Sequence, residues 1–120
     1  MKKLTQREDQ IMQIVWRLKQ VFIRDIIAEF PDPKPHYNTV ATLVKILVEK
    51  GFLDSELIGN THRYRPVIPF ETYRDEDIDH IKKKYFGNSL PKMLAHFAKT
   101  ENLSEAEVEA LMNIIKSQKD

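Results

Sequence analysis

The dipeptide Gly59-Asn60 separates two extended runs, residues 52–58 and 61–68, and such a pair favours a tight two-residue hairpin turn. Pro66 helps to end the second run, because a proline has no amide hydrogen to donate to the ladder of a sheet. Most of the remaining chain has the hydrophobic spacing of amphipathic helices. The sequence therefore predicts a single β-ribbon set among helices.

The length of this turn also fixes which residues face each other across the ribbon. With two loop residues, Glu56 lies opposite Arg63 and Asp54 lies opposite Arg65. Because side chains alternate between the two sides of a strand, all four lie on one face. The arginines are thus free either to pair with these carboxylates or to contact an external anion.

Two helices are predicted before the ribbon. The first is capped by Thr5 and Glu8, whose spacing is that of a capping box, and it runs to about Leu18. After a short β-prone run at 21–23, a second helix extends to Phe30. The prolines that follow, at positions 31, 33 and 35, cannot continue it, since each lacks an amide hydrogen and restricts the preceding residue.

A third helix, from about Asn38 to Lys50, has the clearest pattern in the chain. Its apolar face consists of Val40, Leu43, Val44, Leu47 and Val48. Gly51 follows, in the place where a left-handed residue commonly ends a helix. The opposite face carries short or polar side chains that let another surface approach closely: Thr39, Thr42, Lys45 and Glu49.

Three more amphipathic helices are predicted after the ribbon. They cover residues 70–86, a segment that begins near Leu90, and a segment capped by Ser104 and Glu107. Three short helices on single connections make a poor closed core, so we expect them to bury their apolar stripes against a second copy of the chain. The alternative is that they fold back onto the N-terminal helices within a monomer.

Composition excludes several kinds of site. The chain has no cysteine, which removes disulfides and sulfur-ligated metals, and neither a metal nor another cofactor is expected. No apolar run is long enough to cross a bilayer and the N-terminus lacks a signal-peptide pattern, so a cytoplasmic location is expected. Residues 1–66 carry 11 basic and 8 acidic side chains, a net charge of +3, whereas residues 67–120 carry 8 and 10, a net charge of −2.

A helix, a short strand, two helices and a β-hairpin, in that order, form a winged helix-turn-helix. The predicted fold class is therefore mainly α with a small β-wing, with a DNA-binding domain at 1–69 and a three-helix dimerisation region at 70–120. In this arrangement the third helix enters the major groove and the wing reaches the flanking backbone. The residues predicted to contact base edges or phosphates are Asn38, Thr39, Thr42, Lys45, Arg63 and Arg65.

Several of these positions have a structural alternative. Asn38 suits the N-cap of the third helix as well as it suits a base contact. Thr39 and Thr42 are also compatible with simple exposure to solvent. Tyr37 is expected to pack under the wing in preference to stacking on a sugar, and Lys50 is a further candidate for a phosphate contact.

An ordered set of segments resembles the penicillinase repressor (BlaI/MecI) family. The segments are Leu4-Thr5-Gln6-Arg7-Glu8 with Ile11, Met12 and Trp16, Asn38 to Leu43, Leu47 to Leu53, Gly59 to Pro66, Phe86 to Ser89, and Leu103 to Val108 with Leu111. The likeness covers nearly all of the chain. It implies a homodimeric repressor that holds a palindromic operator and is removed when a membrane-bound sensor protease triggers its cleavage.

The resemblance also implies a position for that cleavage. In the methicillin and penicillin branch the cut bond joins Asn to Phe, and the matching pair here is His96 and Phe97. His96 departs from that pattern and has the alternative of an ordinary histidine on a helix surface. A bond within a helix is a poor protease substrate, so cleavage would require local opening. The copper-responsive branch uses cysteine pairs, which this chain lacks.

Other classes of function compete with this interpretation. Glu76 and Asp77 precede His80 on one predicted helix, but a solvated charged face explains them better than a metal site, and no catalytic motif is present, so an enzyme is not expected. Two alternatives remain open. One is a winged helix that binds protein instead of DNA, and the other is a small-molecule sensor of the same fold.

Overall fold

The computed structural model describes residues 2–118, which form, in chain order, three helices, a two-stranded hairpin and three further helices. The helices are α1 (Gln6–Leu18), α2 (Ile23–Ala28), α3 (Tyr37–Glu49), α4 (Phe70–Tyr85), α5 (Leu90–Thr100) and α6 (Glu105–Ser117), and the strands are β1 (Leu53–Ile58) and β2 (Thr61–Pro66). The chain forms two compact units, the first ending at Arg74 and the second beginning at Asp75. The predicted fold class, mainly α with a small β-wing, is confirmed.

The hairpin has the register that its turn predicts. Asp54 pairs with Arg65 and Glu56 pairs with Arg63 across the antiparallel strands. Gly59 adopts a φ of +62°, a conformation that costs glycine little and most other residues more. The turn length and the alternation of side chains were therefore sufficient to place the four charged residues on one face.

The short run before α2 joins the ribbon as a third, one-residue strand. Val21 forms an isolated antiparallel bridge to Tyr64, in which the amide of each donates to the carbonyl of the other at 2.9 and 2.7 Å. This bridge anchors the base of the wing to the helical part of the first unit.

One apolar core holds the first unit together. Its members with no exposed surface come from α1, α2, α3 and the start of the wing: Ile11, Met12, Val15, Ile26, Val40, Val44, Leu47 and Phe52. The stripes predicted from helical spacing thus meet in one place. Burial of each such side chain stabilises the fold by roughly 1.5–3 kcal/mol.

Aromatic packing adds the beginning of α4 to this unit. The Trp16 Nε1 donates to the Ile68 carbonyl at 2.9 Å, and the Trp16 ring lies 5.3 Å from that of Tyr73. Phe52 contacts the same tyrosine with a centroid distance of 5.6 Å. The first turn of α4 is therefore part of the first unit.

The ends of the first three helices agree with the predictions at some points and differ at others. The capping box of Thr5 and Glu8 is present, but α2 ends at Ala28 and not at Phe30. Helix α3 begins with His36 as its N-cap. The N-cap alternative for Asn38 is therefore wrong, since this residue lies inside the first turn. Gly51 adopts the left-handed conformation expected after α3, with a φ of +84°.

The second unit consists of the rest of α4 together with α5 and α6. Ser89 caps α5, and Ser104 and Glu107 form the capping box predicted for α6. Among the described positions 75–118, Met93 is the one residue classed as buried. Large apolar side chains remain exposed on all three helices, among them Ile78, Ile81, Leu94, Phe97, Val108, Leu111, Met112 and Ile115.

Within residues 2–118, no helix combines the length and the apolar character needed to cross a bilayer.

Candidate nucleic-acid interface

Helix α3 has two faces of opposite character. Val40, Val44 and Leu47 are fully buried against α1 and α2, whereas Asn38, Thr39, Thr42 and Lys45 are exposed. The period of 3.6 residues per turn accounts for this division. The four predicted contact residues of α3 thus share a polar surface whose orientation is fixed by the core behind it.

Three of these residues border a shallow, open depression. Asn38, Thr39 and Thr42 line it together with Leu43. The Thr42 hydroxyl donates to the Asn38 carbonyl at 2.9 Å, which leaves the lone pairs of its oxygen available to an external donor. An open surface of hydroxyl and amide groups is suited to the edge of a base and does not enclose a small molecule.

The two lysines predicted to contact phosphate differ in their surroundings. Lys45 is exposed and has no ion-pair partner among residues 2–118. Lys50 instead directs its Nζ to the Glu8 Oε1 at 2.7 Å and to the Lys3 carbonyl at 3.0 Å. The prediction that Lys50 contacts phosphate is therefore not supported by its position, because its ammonium is engaged within the protein. Lys45 remains the available cation on α3.

Glu8 is the carboxylate that engages Lys50, and its surroundings favour the charged form. Burial raises the pKa of Glu8, but hydrogen bonds from Lys50 and from the Thr5 amide outweigh it, so the pKa lies below its ordinary value. The carboxylate is therefore ionised at neutral pH.

Both wing arginines are paired across the ribbon. Arg63 donates to the Glu56 carboxylate, and the Arg65 Nη2 lies 3.1 Å from the Asp54 Oδ2. The hydrogen bond from Arg63 lowers the pKa of Glu56, and the Ser55 amide followed by Arg65 lowers that of Asp54. Of the two possibilities left open by the sequence, the arginines adopt pairing with carboxylates in the isolated chain.

Tyr37 does not have the position that we expected. Its side chain is 53% exposed, so the prediction that it packs under the wing is wrong. Residues 36–39 are all exposed, so the beginning of α3 lies outside the core. Partial burial, and secondly Tyr37, raise the pKa of Tyr64. Tyr37 thus adds an exposed aromatic side chain at the N-terminal end of α3.

His96 and Phe97 lie in the middle of α5. His96 is exposed and Phe97 is 45% exposed, and the centroids of both rings lie within 6.0 Å of the Phe86 ring. The Phe97 carbonyl accepts the Glu101 amide at 2.9 Å, as in a regular helix. The bond between the two residues is therefore exposed but held in helical conformation, and its role as a cleavage site stays a prediction.

Within the described part of the chain, no group of three His, Cys, Asp or Glu side chains is placed so that it could hold an ion. His80 is exposed on α4.

Comparisons with known proteins agree with this geometry. The sequence pattern of the family described as Penicillinase repressor matches residues 4–117. The methicillin resistance regulatory protein MecI of Staphylococcus aureus (strain N315) is 28% identical over 119 residues, which cover 94% of this chain and 93% of that protein. A penicillinase repressor of Bacillus licheniformis is 24% identical over 124 residues, which cover 100% of this chain and 97% of the relative.

A solved structure shows a likeness in fold. Bordetella bronchiseptica BpsR, whose DNA binding is regulated by 6-hydroxynicotinic acid, superposes with a TM-score of 0.52 over 96% of this chain and 75% of that chain. The two sequences are 12% identical, so this likeness concerns the fold alone.

Proposed function

This chain belongs to the penicillinase repressor family, and on that premise we propose that it represses transcription as a homodimer bound to a palindromic DNA operator. It is a DNA-binding transcriptional repressor, as the names of its relatives and its winged-helix fold indicate. The observation that carries the proposal is the exposed polar face of α3, held outward by a fully buried face on the same helix.

In the proposed complex, α3 enters the major groove and reads base edges. Hydroxyl and amide groups both donate and accept hydrogen bonds, so Asn38, Thr39 and Thr42 are suited to this task. They lie within the first two turns of α3, and the N-terminal part of a recognition helix is the part that meets the bases. These residues are assigned to sequence preference.

Affinity is assigned to cations that contact phosphate. Lys45 is exposed on α3, and Arg63 and Arg65 lie on the second strand of the wing. Each phosphate neutralised by such a side chain releases counterions from the DNA, so binding weakens as the salt concentration rises. Phosphate contacts carry no sequence information directly, which separates the roles of these residues from those on the groove face of α3.

The second unit is assigned to dimerisation. With Met93 as its one buried residue among positions 75–118, it exposes apolar side chains on α4, α5 and α6. Many exposed apolar side chains within one unit are typical of an interface, and a homodimer covers them with an identical surface. Two copies related by a two-fold axis present two α3 helices, and a palindromic operator has the matching symmetry.

Relief of repression is assigned to proteolysis between His96 and Phe97, triggered by a membrane-bound sensor protease. Both residues lie on α5, within the unit assigned to dimerisation. A cut there separates α6 and its apolar side chains from α4, so that the dimer and its hold on the operator are lost. The helical bond must first unfold locally to enter a protease.

Binding to DNA tests the central claim. The full-length protein is mixed with sheared DNA from its own genome, and the retained fragments are sequenced. We expect an inverted repeat whose half-sites are separated by about one helical turn, roughly 10–10.5 base pairs, or by a multiple of it. If no duplex is bound even at low ionic strength, the repressor function is wrong and a protein-binding winged helix becomes the better explanation.

A further inference from the structure

One face of the wing carries two arginines and two carboxylates that pair with one another. Arg63 and Arg65 on β2 contact Glu56 and Asp54 on β1, and the hairpin register brings each arginine directly opposite its carboxylate. Two of the three cations that the proposed function assigns to phosphate are thus neutralised by the protein itself. Lys45 on α3, by contrast, has no such partner among the described residues.

We infer that Asp54 and Glu56 are intramolecular competitors for DNA phosphate, so that the wing binds DNA by exchanging a carboxylate for a phosphate on each arginine. This inference rests on the proposed DNA binding. It adds that the strength of binding is limited by two residues that are not expected to contact DNA at all.

The exposure of the pairs makes such an exchange possible. The side chains of Arg63 and Glu56 are 33% and 42% exposed, and those of Arg65 and Asp54 are 49% and 53% exposed. Ion pairs in contact with water are weak, so an arriving phosphate can displace the carboxylate. The backbone ladder of the ribbon holds the four residues in place during the exchange, because the length of the turn fixes the register and these charged side chains do not.

The competition has a consequence for salt dependence. An arginine that leaves a carboxylate for a phosphate exposes a new negative charge, which attracts cations from solution. The exchange therefore returns part of the counterions released from DNA, and the dependence of log K on log salt becomes less steep than free arginines would give. Neutralising the competitors should increase both affinity and salt dependence.

The experiment measures the binding of an unrelated 30-base-pair duplex by fluorescence anisotropy over a salt series. We expect Asp54→Asn and Glu56→Gln each to tighten binding about two- to five-fold, the range that corresponds to a weak exposed pair. The slope of log K against log salt should steepen by up to about one for each arginine released. Glu29→Gln, which removes a carboxylate paired with Arg17 at 2.8 Å, is the matched control and should change neither quantity.

A double-mutant cycle separates competition from simple charge repulsion. Glu56→Gln is measured again in an Arg63→Gln background, where no arginine remains to be released. Competition predicts that Glu56→Gln no longer increases the affinity for DNA in this background. An equal increase in affinity in both backgrounds would overturn the inference. Thermal unfolding of each variant checks that the wing is intact. If the unchanged protein binds no duplex, the proposed function is wrong as well. If it binds DNA but the two substitutions act independently, only the inference about competition is wrong.

Discussion

The Lys50 ammonium lies 2.7 Å from the Glu8 Oε1, and this ion pair joins the first turn of α1 to the C-terminal end of α3. The Glu8 side chain is 3% exposed and that of Lys50 is 22% exposed. The same Glu8 oxygen accepts the Thr5 amide at 2.8 Å, so one carboxylate serves both the capping box and the contact between helices. The end of the candidate recognition helix is thereby tied to the start of the chain.

Removal of the lysine should destabilise the first unit. Lys50→Met leaves the buried Glu8 carboxylate without its cation, and the loss of one partner from a buried pair costs on the order of 3 kcal/mol. Urea unfolding at neutral pH measures the change. Lys45→Met, the same substitution at an exposed position of α3, is the control. Its free energy of unfolding should lie within about 0.5 kcal/mol of that of the unchanged protein.

The same ion pair predicts a dependence of stability on pH. The folded chain lowers the pKa of Glu8 below its ordinary value of 4.5, so the stabilisation is present above that value and is lost as the pH falls through the lower, folded pKa. The variant Glu8→Gln has no carboxylate at this position, so it lacks this stabilisation at every pH. The difference in free energy of unfolding between the unchanged protein and Glu8→Gln should therefore narrow as the pH is lowered from 7 to about 3. A constant difference would contradict the assigned charge.

Substitutions at Thr42 and Lys45 should differ in kind. Thr42→Ala removes a group assigned to base edges and should change the order of preference among operator variants, by about 1–3 kcal/mol at one position. Lys45→Ala should weaken binding to every sequence and reduce the salt slope by about one. Binding of a panel of duplexes at several salt concentrations measures both effects, and equal losses for the two variants would contradict the separate roles.

Charge introduced on α6 should abolish the dimer. Leu111→Glu places a carboxylate among the apolar side chains of α6, where burial against a second copy becomes costly. We expect a dimer for the unchanged protein and a monomer for the variant in sedimentation equilibrium. Loss of the linkage between two half-sites should weaken operator binding by at least about 100-fold. Glu109→Gln on the same helix is the control. An unchanged protein that stays monomeric at high concentration would end the proposal of a dimer.

Cleavage should yield fragments that end at His96 and begin at Phe97. The protein is incubated with membranes from induced and uninduced cells of its own source, and intact masses are recorded. We expect the two fragments only after induction, together with a loss of operator binding. His96→Asn, which gives the pair that the family resemblance implies, should be cut at least as fast. Fragment masses that correspond to cleavage at another bond would contradict the assignment of the site to His96 and Phe97.

Local features of this protein followed from its sequence alone. The hairpin register, the capping boxes at Thr5 and Ser104, and the left-handed Gly51 all depend on residues that are close together in the chain. Turn length, helical period and backbone geometry act over such short distances, so the pattern of residue types was sufficient to predict them. The exposed polar face of α3 was predicted for the same reason.

Other features were decided only where separate elements meet. Lys50 pairs with Glu8, which is 42 positions away in the sequence, and Trp16 donates to the Ile68 carbonyl, which is 52 positions away. The N-cap of α3 at His36 and the exposure of Tyr37 depend on where the core behind α3 ends. Helical spacing predicts which side of a helix is apolar, but it does not predict how far the neighbouring helices extend to cover that side. For that reason the tertiary structure alone determined that Lys50 is engaged within the protein, whereas Lys45 remains available to a partner.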